Sequence, residues 1–324
     1  MRIAIVGLGA IGGYIAARLS AAGHDVSALA RGAALDRVRE RGLILDRQGE
    51  RTAARIAVSD DPRALGEQDL VVIALKATGM QAVAPSIAPL LGADTMLLPA
   101  MNGVPWWFLP AALPEQPPLQ SVDPDGRLLA LLPLDRVLGC VVHLSAVTTE
   151  PGVVRHNNGE HLIIGEARGG ESERVRRVGQ VFRDAGFQAE LTANVRRAVW
   201  FKLWGNMTLN PLSVITGATT GDLLEDDLVR PFVARCMVEA AAIGDRIGCR
   251  IEESPEDRMG VTRHLGSFRT SMLQDALAGR PIELDALVAS VREIGQRVGV
   301  RTPTIDALLG IARLNARLRG IYPG

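Results

Sequence analysis

The sequence predicts an α/β protein in two parts, a doubly wound, mostly parallel sheet over residues 1–192 and an all-helical domain over residues 193–324. Three observations carry that prediction. The chain opens on an apolar, β-branched run that enters a glycine-rich turn and then a helix-period segment. Strand-like and helix-like stretches then alternate to about residue 191, the pattern of a sheet with crossover helices on its faces. From Asn194 onward no strand pattern remains. Nothing between the halves has the composition of a flexible linker, so they are expected to pack intimately.

Residues 1–6 show little alternation, as a parallel strand covered on both faces should. They run into Gly7-Leu8-Gly9-Ala10-Ile11-Gly12-Gly13 and a helix from Tyr14 to about Ala22, closed by Gly23. A lone G-x-G-x-x-G is weak evidence. Between a strand and a helix at the start of a βαβ pattern it becomes a dinucleotide-binding fingerprint of the Rossmann type. The glycines permit a tight turn, backbone approach to a pyrophosphate and close helix–strand packing, while the helix N-terminus offers its N–H groups to the phosphates. The alternative is a glycine turn without a ligand. A second strand, 25–30, ends at Arg31-Gly32. NAD-binding versions of such a fold place an acid here for the ribose 2′-hydroxyl; this chain places an arginine, which favours NADP(H) unless Arg31 is simply a solvated loop residue.

Residues 43–46 and 52–58 read as a small hairpin across Gly49, and 69–75 as a strand ending at Lys76. A strand's carboxyl end near the sheet's switch point is where ligands bind in open α/β sheets. A helix over 79–91 and a strand over 95–99 follow, then the loop Asn102-Gly103-Val104-Pro105. Asn and Gly alone signal only a turn; its place past a strand end singles Asn102 out. Six prolines make 109–136 an interruption, after which strands over 136–147, 152–156 and 161–164 are expected to resume the sheet, with turns at Glu150-Pro-Gly and Asn157-Asn-Gly. A helix over 171–185 and a strand over 187–191 close the first part. Helices over about 194–215, 225–248, 257–278, 283–298 and 303–318 make the second.

Whole-chain properties exclude several classes of function. Acidic and basic residues number 36 each, so nothing points to nucleic acid or to a strongly charged partner. No apolar run reaches the roughly 18 residues that span a bilayer, and the N-terminus enters the first strand without a signal peptide's pattern. Cys140, Cys236 and Cys249 have unrelated spacings and read as thiols of a reducing cytoplasm. His143, His156, His161 and His264 show no metal-ligand spacing, and no metal site is expected. The chain accommodates a monomer or a homodimer.

The residues most suggestive of chemistry lie in Trp200-Phe-Lys-Leu-Trp-Gly-Asn-Met-Thr-Leu-Asn-Pro211. At about 100° per residue, Lys202, Asn206 and Asn210 fall within an arc of about 80° on one helix face. A solvated stripe would be the ordinary explanation, but Trp200, Phe201, Leu203, Trp204, Met207 and Leu209 surround the trio. Composition sharpens the point, because all but two of the 36 basic residues are arginine, the exceptions being Lys76 and Lys202. Lysine is a compact donor whose pKa moves on burial, whereas arginine does not give up its proton. A lysine that survives such a bias is a candidate for work arginine cannot do. Gly205 costs this helix roughly 1 kcal/mol against alanine, tolerable if a ligand or another backbone must come close.

With these residues in view, the chain resembles the ketopantoate reductase family over nearly its whole length. Gly7–Gly12, Arg31, Leu75-Lys76-Ala77, Asn102-Gly103, Trp200-x-Lys202-x₃-Asn206-x₃-Asn210-Pro211-Leu212 and Ser271-Met-Leu-Gln-Asp275…Glu283-x-Asp285 carry the resemblance. It implies NADPH-dependent reduction of 2-dehydropantoate to D-pantoate in pantothenate biosynthesis, in a cleft between the two domains. By the same resemblance Lys202 is the catalytic acid, and Asn206, Asn210 and Ser271 hold the 2-oxo acid. Asn102 touches cofactor and substrate, Arg31 and Lys76 contact the cofactor's phosphate side, Ala146 lines its groove, and Glu283 lies at its ribose or nicotinamide end, with a share in catalysis. Two departures bear on the substrate: Thr220 stands where some members place a substrate-binding Asn, and Pro105-Trp106-Trp107 opens an apparent insertion. The tryptophans are expected to pack the insertion against the sheet, or else to narrow the cleft mouth. Rival readings are a β-hydroxyacid-type dehydrogenase, against which the 271–275 motif argues, reduction of another small 2-oxo acid, and a catalytically idle NADPH-responsive protein.

Overall fold

The computed structural model describes residues 1–264 and 266–323. The chain divides into two compact units, Met1–Met101 with Arg127–Val195, and Asn102–Gly126 with Arg196–Gly324. A single cut at residue 192 is therefore corrected: residues 102–126 belong with the C-terminal unit.

In chain order the first unit comprises β1 (Arg2–Val6), α1 (Ala10–Ala21), β2 (Asp25–Leu29), α2 (Ala33–Arg41), β3 (Leu43–Arg47), β4 (Glu50–Ala54), β5 (Ala57–Ser59), β6 (Gln68–Ile73), α3 (Ala77–Val83) and β7 (Leu91–Pro99). The chain then gives the second unit α4 (Phe108–Ala112) before it returns through α5 (Arg127–Leu131), β8 (Leu138–Glu150), β9 (Val153–Glu166), α6 (Glu173–Asp184) and β10 (Gln188–Leu191). The first sheet is parallel throughout, in the order β5-β2-β1-β6-β7. Ile3 to Ile5 and Leu70 to Ile73 have no exposed surface, which is why these central strands read as unbroken apolar runs.

The strands after residue 136 do not resume that sheet. They build a second one, β10-β9-β3-β4, with β8 antiparallel to β9. The expected turn at Asn157-Asn-Gly is instead a bulge inside β9, opposite a register shift in β8, with Asn157 donating to Ser145 Oγ at 3.2 Å. The long ladder on either side of the shift carries the two strands past the extra residue. The expected hairpin also ends early: β4 stops at Ala54, and β5 joins β2 in the parallel sheet. Helix α1 packs on both sheets. A Cβ on Gly12 would lie 2.0 Å from the Gly7 carbonyl oxygen, and one on Gly13 2.6 Å from Val154 of β9. A helix pressed between two sheets is apolar all round, as Tyr14 to Ala17 and Leu19 are here, at 4% exposure or less.

The second unit comprises α7 (Val195–Thr216), α8 (Thr220–Glu225), α9 (Val229–Arg246), α10 (Pro255–His264), α11 (Ser271–Leu277), a π-helical turn (Asp285–Ala289), α12 (Ser290–Arg297) and α13 (Pro303–Leu318). The helix expected over 225–248 is two, because Asp226 ends α8 and its carboxylate then accepts the N–H groups of Leu228 and Val229 that open α9. The helix expected over 257–278 is also two, α10 and α11; Leu265, between them, lies outside the described residues. The Trp200 and Trp204 indoles are buried and donate to the carbonyls of Ala240 and Met237 in α9, satisfying the one polar group each must bring inside.

Residues 102–126 are held in this unit at three places. Phe108 stacks on Trp200, ring centroids 5.8 Å apart. Glu293 of α12 accepts the N–H groups of Gln120 and Ser121 and the Ser121 hydroxyl, and Arg297 donates to the carbonyls of Pro117 and Pro118. Trp106 and Trp107 are 2% and 1% exposed, so they are core, and the expectation that they pack against the first unit's sheet gives way to burial in the helical unit.

Candidate active site

In the first unit, topology gathers residues at one sheet edge. Beta-1 sits between β2 and β6, so the loops that follow these three strands meet at their carboxyl ends. The Gly7 N–H donates to Leu29 O at 3.2 Å, and Ala74 N–H to Val6 O at 3.0 Å. This is where the sheet's strand order reverses, the switch point at which open α/β sheets bind ligands. The loop Gly7–Gly12, Arg31 between β2 and α2, and Lys76 immediately before α3 all stand there. Ala146 lies on β8 of the second sheet, in register with His156.

The glycines fit a dinucleotide and are not all explained by packing. Gly7 presses on Leu75 and Ala74, and Gly12 on Gly7 itself. Gly9 differs, since nothing lies within 4 Å of a Cβ built there and its φ is an ordinary −75°. The fold would accept a side chain at Gly9; a pyrophosphate on the N-terminus of α1 would not.

In the second unit, Lys202 and Asn102 come together across 100 residues of sequence, with Nζ donating to the Asn102 side-chain oxygen at 2.7 Å. The Asn102 loop is positioned from both sides. Val104 N–H donates to Ala286 O at 2.8 Å, and Gly103 lies so close to that π turn that a Cβ would be 2.6 Å from the same oxygen. Beyond it, Phe108 stacks on Trp200, two residues before Lys202. Isolated π turns are frequent at functional sites, and this one begins two residues after Glu283.

The π turn is itself tied to the C-terminal segment. Tyr322 donates its hydroxyl to Asp285, and Ile282 N–H donates to Ile321 O. Burial pushes the Asp285 carboxyl upward, and the Tyr322 hydroxyl with Arg313 and Arg317 only partly offsets it.

Asn206 is half-buried and Asn210 is 6% exposed. Among the described residues neither carboxamide has a side-chain hydrogen bond, so both can serve a ligand. Ser271 is the first residue of α11, and that helix is tied to α7. Thr270 caps it by accepting Leu273 N–H, and its hydroxyl meets Ser213 Oγ at 2.7 Å while Ser213 donates to Asn210 O. The sequence reading missed this link, although a Thr immediately before Ser271 is an N-cap signal. Thr220 is 2% exposed and its hydroxyl is engaged with the backbone of Phe268; it braces the segment that leads to Ser271.

Burial pushes the thiols of Cys236 and Cys249 up to about 12 and about 11, so neither is a nucleophile near neutrality. No disulfide is present, no cluster of metal-binding side chains occurs among the described residues, and no helix among them is long and apolar enough to cross a membrane.

The first unit has a Rossmann-type sheet edge, and the second has a lysine held by one carboxamide, Asn102, on a helix that carries two more. Comparison with known proteins supplies the class. Residues 3–169 match the family model "Ketopantoate reductase PanE/ApbA" and residues 194–316 its C-terminal counterpart. A 2-dehydropantoate 2-reductase of Mesorhizobium japonicum is 41% identical over 99% of this chain and 100% of its own. A crystal structure from Ralstonia solanacearum MolK2, provisionally named a ketopantoate reductase, superposes with TM-score 0.95 at 54% identity over 99% of each chain. The chain belongs to the ketopantoate reductase family, oxidoreductases that act on a CH–OH group. The fold reaches further: a D-mandelate dehydrogenase solved with NADH and anilino(oxo)acetate superposes with TM-score 0.85 at 19% identity, over 98% of this chain and 99% of that one.

Proposed function

We propose that this chain reduces 2-dehydropantoate to D-pantoate with NADPH, a step of pantothenate biosynthesis, and that Lys202 is the general acid. The observation that carries the reading is the Lys202–Asn102 hydrogen bond of 2.7 Å, beside two carboxamides with no other side-chain partner among the described residues. When bound, the reduced nicotinamide supplies hydride to the C2 carbonyl. The developing alkoxide then needs a proton, and a positioned ammonium is worth about 10²–10⁴ in rate. Asn102 holds the Lys202 amine in place. Asn206, Asn210 and Ser271 orient the 2-oxo acid. Gly7–Gly12 take the pyrophosphate, Arg31 and Lys76 the 2′-phosphate side, Ala146 the groove, and Glu283 the ribose or nicotinamide end. Asn102 contributes to cofactor binding as well.

One observation favours a second reading within the same chemistry. The Thr220 hydroxyl is engaged with Phe268, so the site has one polar group fewer than relatives with Asn there. That suits a 2-oxo acid without ketopantoate's terminal hydroxyl. Following NADPH absorbance with ketopantoate and 2-oxoisovalerate decides between them. A higher kcat/KM for ketopantoate supports the first reading, because a site built to bond a hydroxyl rejects the analogue lacking it. A preference for 2-oxoisovalerate keeps the chemistry and overturns the pathway. In the same assay Lys202→Ala should lose about 10² or more in turnover, and Lys202→Arg should not restore it, since guanidinium is a poor proton donor. Near-normal turnover in either variant would remove Lys202 from the mechanism.

A further inference from the structure

Residues 319–322, which follow α13, reach three parts of the second unit on which candidate site residues stand. The Arg319 guanidinium donates from Nη1 to Val214 O of α7 at 3.1 Å and from Nη2 to Ala276 O of α11 at 3.3 Å. One side chain thus links the helices that bear Asn210 and Ser271. Ile321, 3% exposed, donates its N–H to Ala316 O at 3.0 Å and accepts the Ile282 N–H at 3.1 Å. Tyr322 then donates its hydroxyl to Asp285. Glu283 therefore lies between two positions, 282 and 285, that the same segment holds.

The tie at Asp285 reaches beyond its own turn. Asp285 opens the π turn, whose ring is closed by Ser290 N–H on Asp285 O; such turns are rare in proteins. The next carbonyl, Ala286 O, accepts both the Ser290 hydroxyl and the Val104 N–H at 2.8 Å. The second of these bonds sets the loop whose Asn102 holds Lys202. Burial, and then the Asp285 carboxylate, push the Tyr322 hydroxyl upward, so it stays a donor near neutrality. The Arg317 guanidinium lies over the Tyr322 ring, 5.9 Å from its centroid.

We infer that Tyr322, acting through Asp285, is a positioning residue for Glu283 and for the Asn102–Lys202 pair. The inference rests on the 2-oxo acid reduction proposed above. It gives the second acid of the Glu283-x-Asp285 motif a task that the proposed chemistry leaves open. Drawing a carboxylate partly inside costs desolvation, and a turn that needed only packing would do without it. The apolar contact of Ile321 and the Arg319 bonds already close the helical unit. What the hydroxyl adds is a directional tie at the one residue between Glu283 and Ala286 that points a carboxylate at it. A phenylalanine would fill the same space and lack the tie.

The test is the full-length protein with Tyr322→Phe, assayed by NADPH absorbance with ketopantoate in water and in deuterium oxide. NADPH affinity by fluorescence titration and thermal unfolding accompany it. In the folded variant kcat and kcat/KM should fall together, about 10- to 100-fold. NADPH affinity should change by no more than about threefold, because on the proposed reading the phosphates rest in the first unit. The solvent isotope effect on kcat should grow, since a misplaced Lys202 slows the proton step. Asp285→Ala breaks the tie from the other side, should behave alike, and serves if Tyr322→Phe does not fold. Asp285→Asn keeps an oxygen for the hydroxyl and should retain turnover within about threefold of wild type. An unchanged kcat in the folded variant overturns the inference. So does a loss with an unmoved isotope effect, which is what loosened packing alone would give. A loss in Asp285→Asn as deep as in Asp285→Ala would assign the effect to the charge and overturn it too. Wild type that reduces no 2-oxo acid would remove the proposed reduction and the positioning role together, whereas an active wild type with an indifferent Tyr322→Phe removes the role alone.

Discussion

Replacing Gly103 by alanine tests whether the Asn102 loop is what positions Lys202. Gly103 has φ +79°, a conformation that costs an L-residue about 1–2 kcal/mol. Unlike most such glycines, it also lacks room: a Cβ would meet the Ala286 carbonyl oxygen at 2.6 Å and its carbon and Cβ at 2.8 Å. These are backbone and stub atoms of a helical turn, so the loop must move. Moving it weakens the Val104–Ala286 hydrogen bond, worth about 1 kcal/mol. The destabilisation should therefore reach about 2–3 kcal/mol, several degrees in Tm for a unit of this size. The larger effect should be on rate. Lifting the loop by about 1 Å separates Asn102 from Lys202, and a misplacement of that size costs on the order of 10² in kcat/KM. Gly66 is the control, with φ +65° and nothing within 4 Å of a built Cβ, so Gly66→Ala carries the conformational cost alone. NADPH absorbance with ketopantoate and thermal unfolding measure both variants. If Gly103→Ala matches Gly66→Ala in both, the loop does not position the lysine.

Three further outcomes follow from the geometry. Gly9→Ala should leave Tm unchanged, because the fold has room for the methyl, and weaken NADPH binding at least tenfold; unaltered binding by fluorescence titration would place the pyrophosphate elsewhere. Arg31→Ala should remove a charge-assisted phosphate contact worth about 1.5–3 kcal/mol, weakening NADPH and sparing NADH; equal losses would make Arg31 structural. Burial pushes the Glu293 carboxyl up, but its bonds from Ser121, Gln120 and Arg297 more than offset this and the net shift is downward. Its contribution is therefore complete above the unfolded value near 4.3 and lost as pH falls through the lower folded value. Glu293→Gln should cost about 1–2 kcal/mol at pH 7 in denaturant unfolding, and the difference should shrink as pH falls through the lowered folded value; a pH-independent difference would refute the assignment.

The first unit's sheet edge was legible because its information is local. Residues 1–13 carry strand, turn and helix in one continuous stretch, and parallel strands buried on both faces announce themselves as apolar runs. The second sheet was not legible, since β8 and β9 have the same apolar strand pattern whichever sheet they join. Nor was the partner of residues 102–126. A Trp-Trp-Phe run among prolines declares that it will be buried, not against what; Phe108 meets Trp200 across 92 residues, and Gln120 meets Glu293 across 173. The helix-face row of Lys202, Asn206 and Asn210 could be read from spacing alone, but the loop that meets it could not. An arginine-rich chain made Lys202 conspicuous as one of two lysines. Its hydrogen bond to Asn102, 100 residues away in sequence, is a property of three-dimensional neighbours that no spacing encodes.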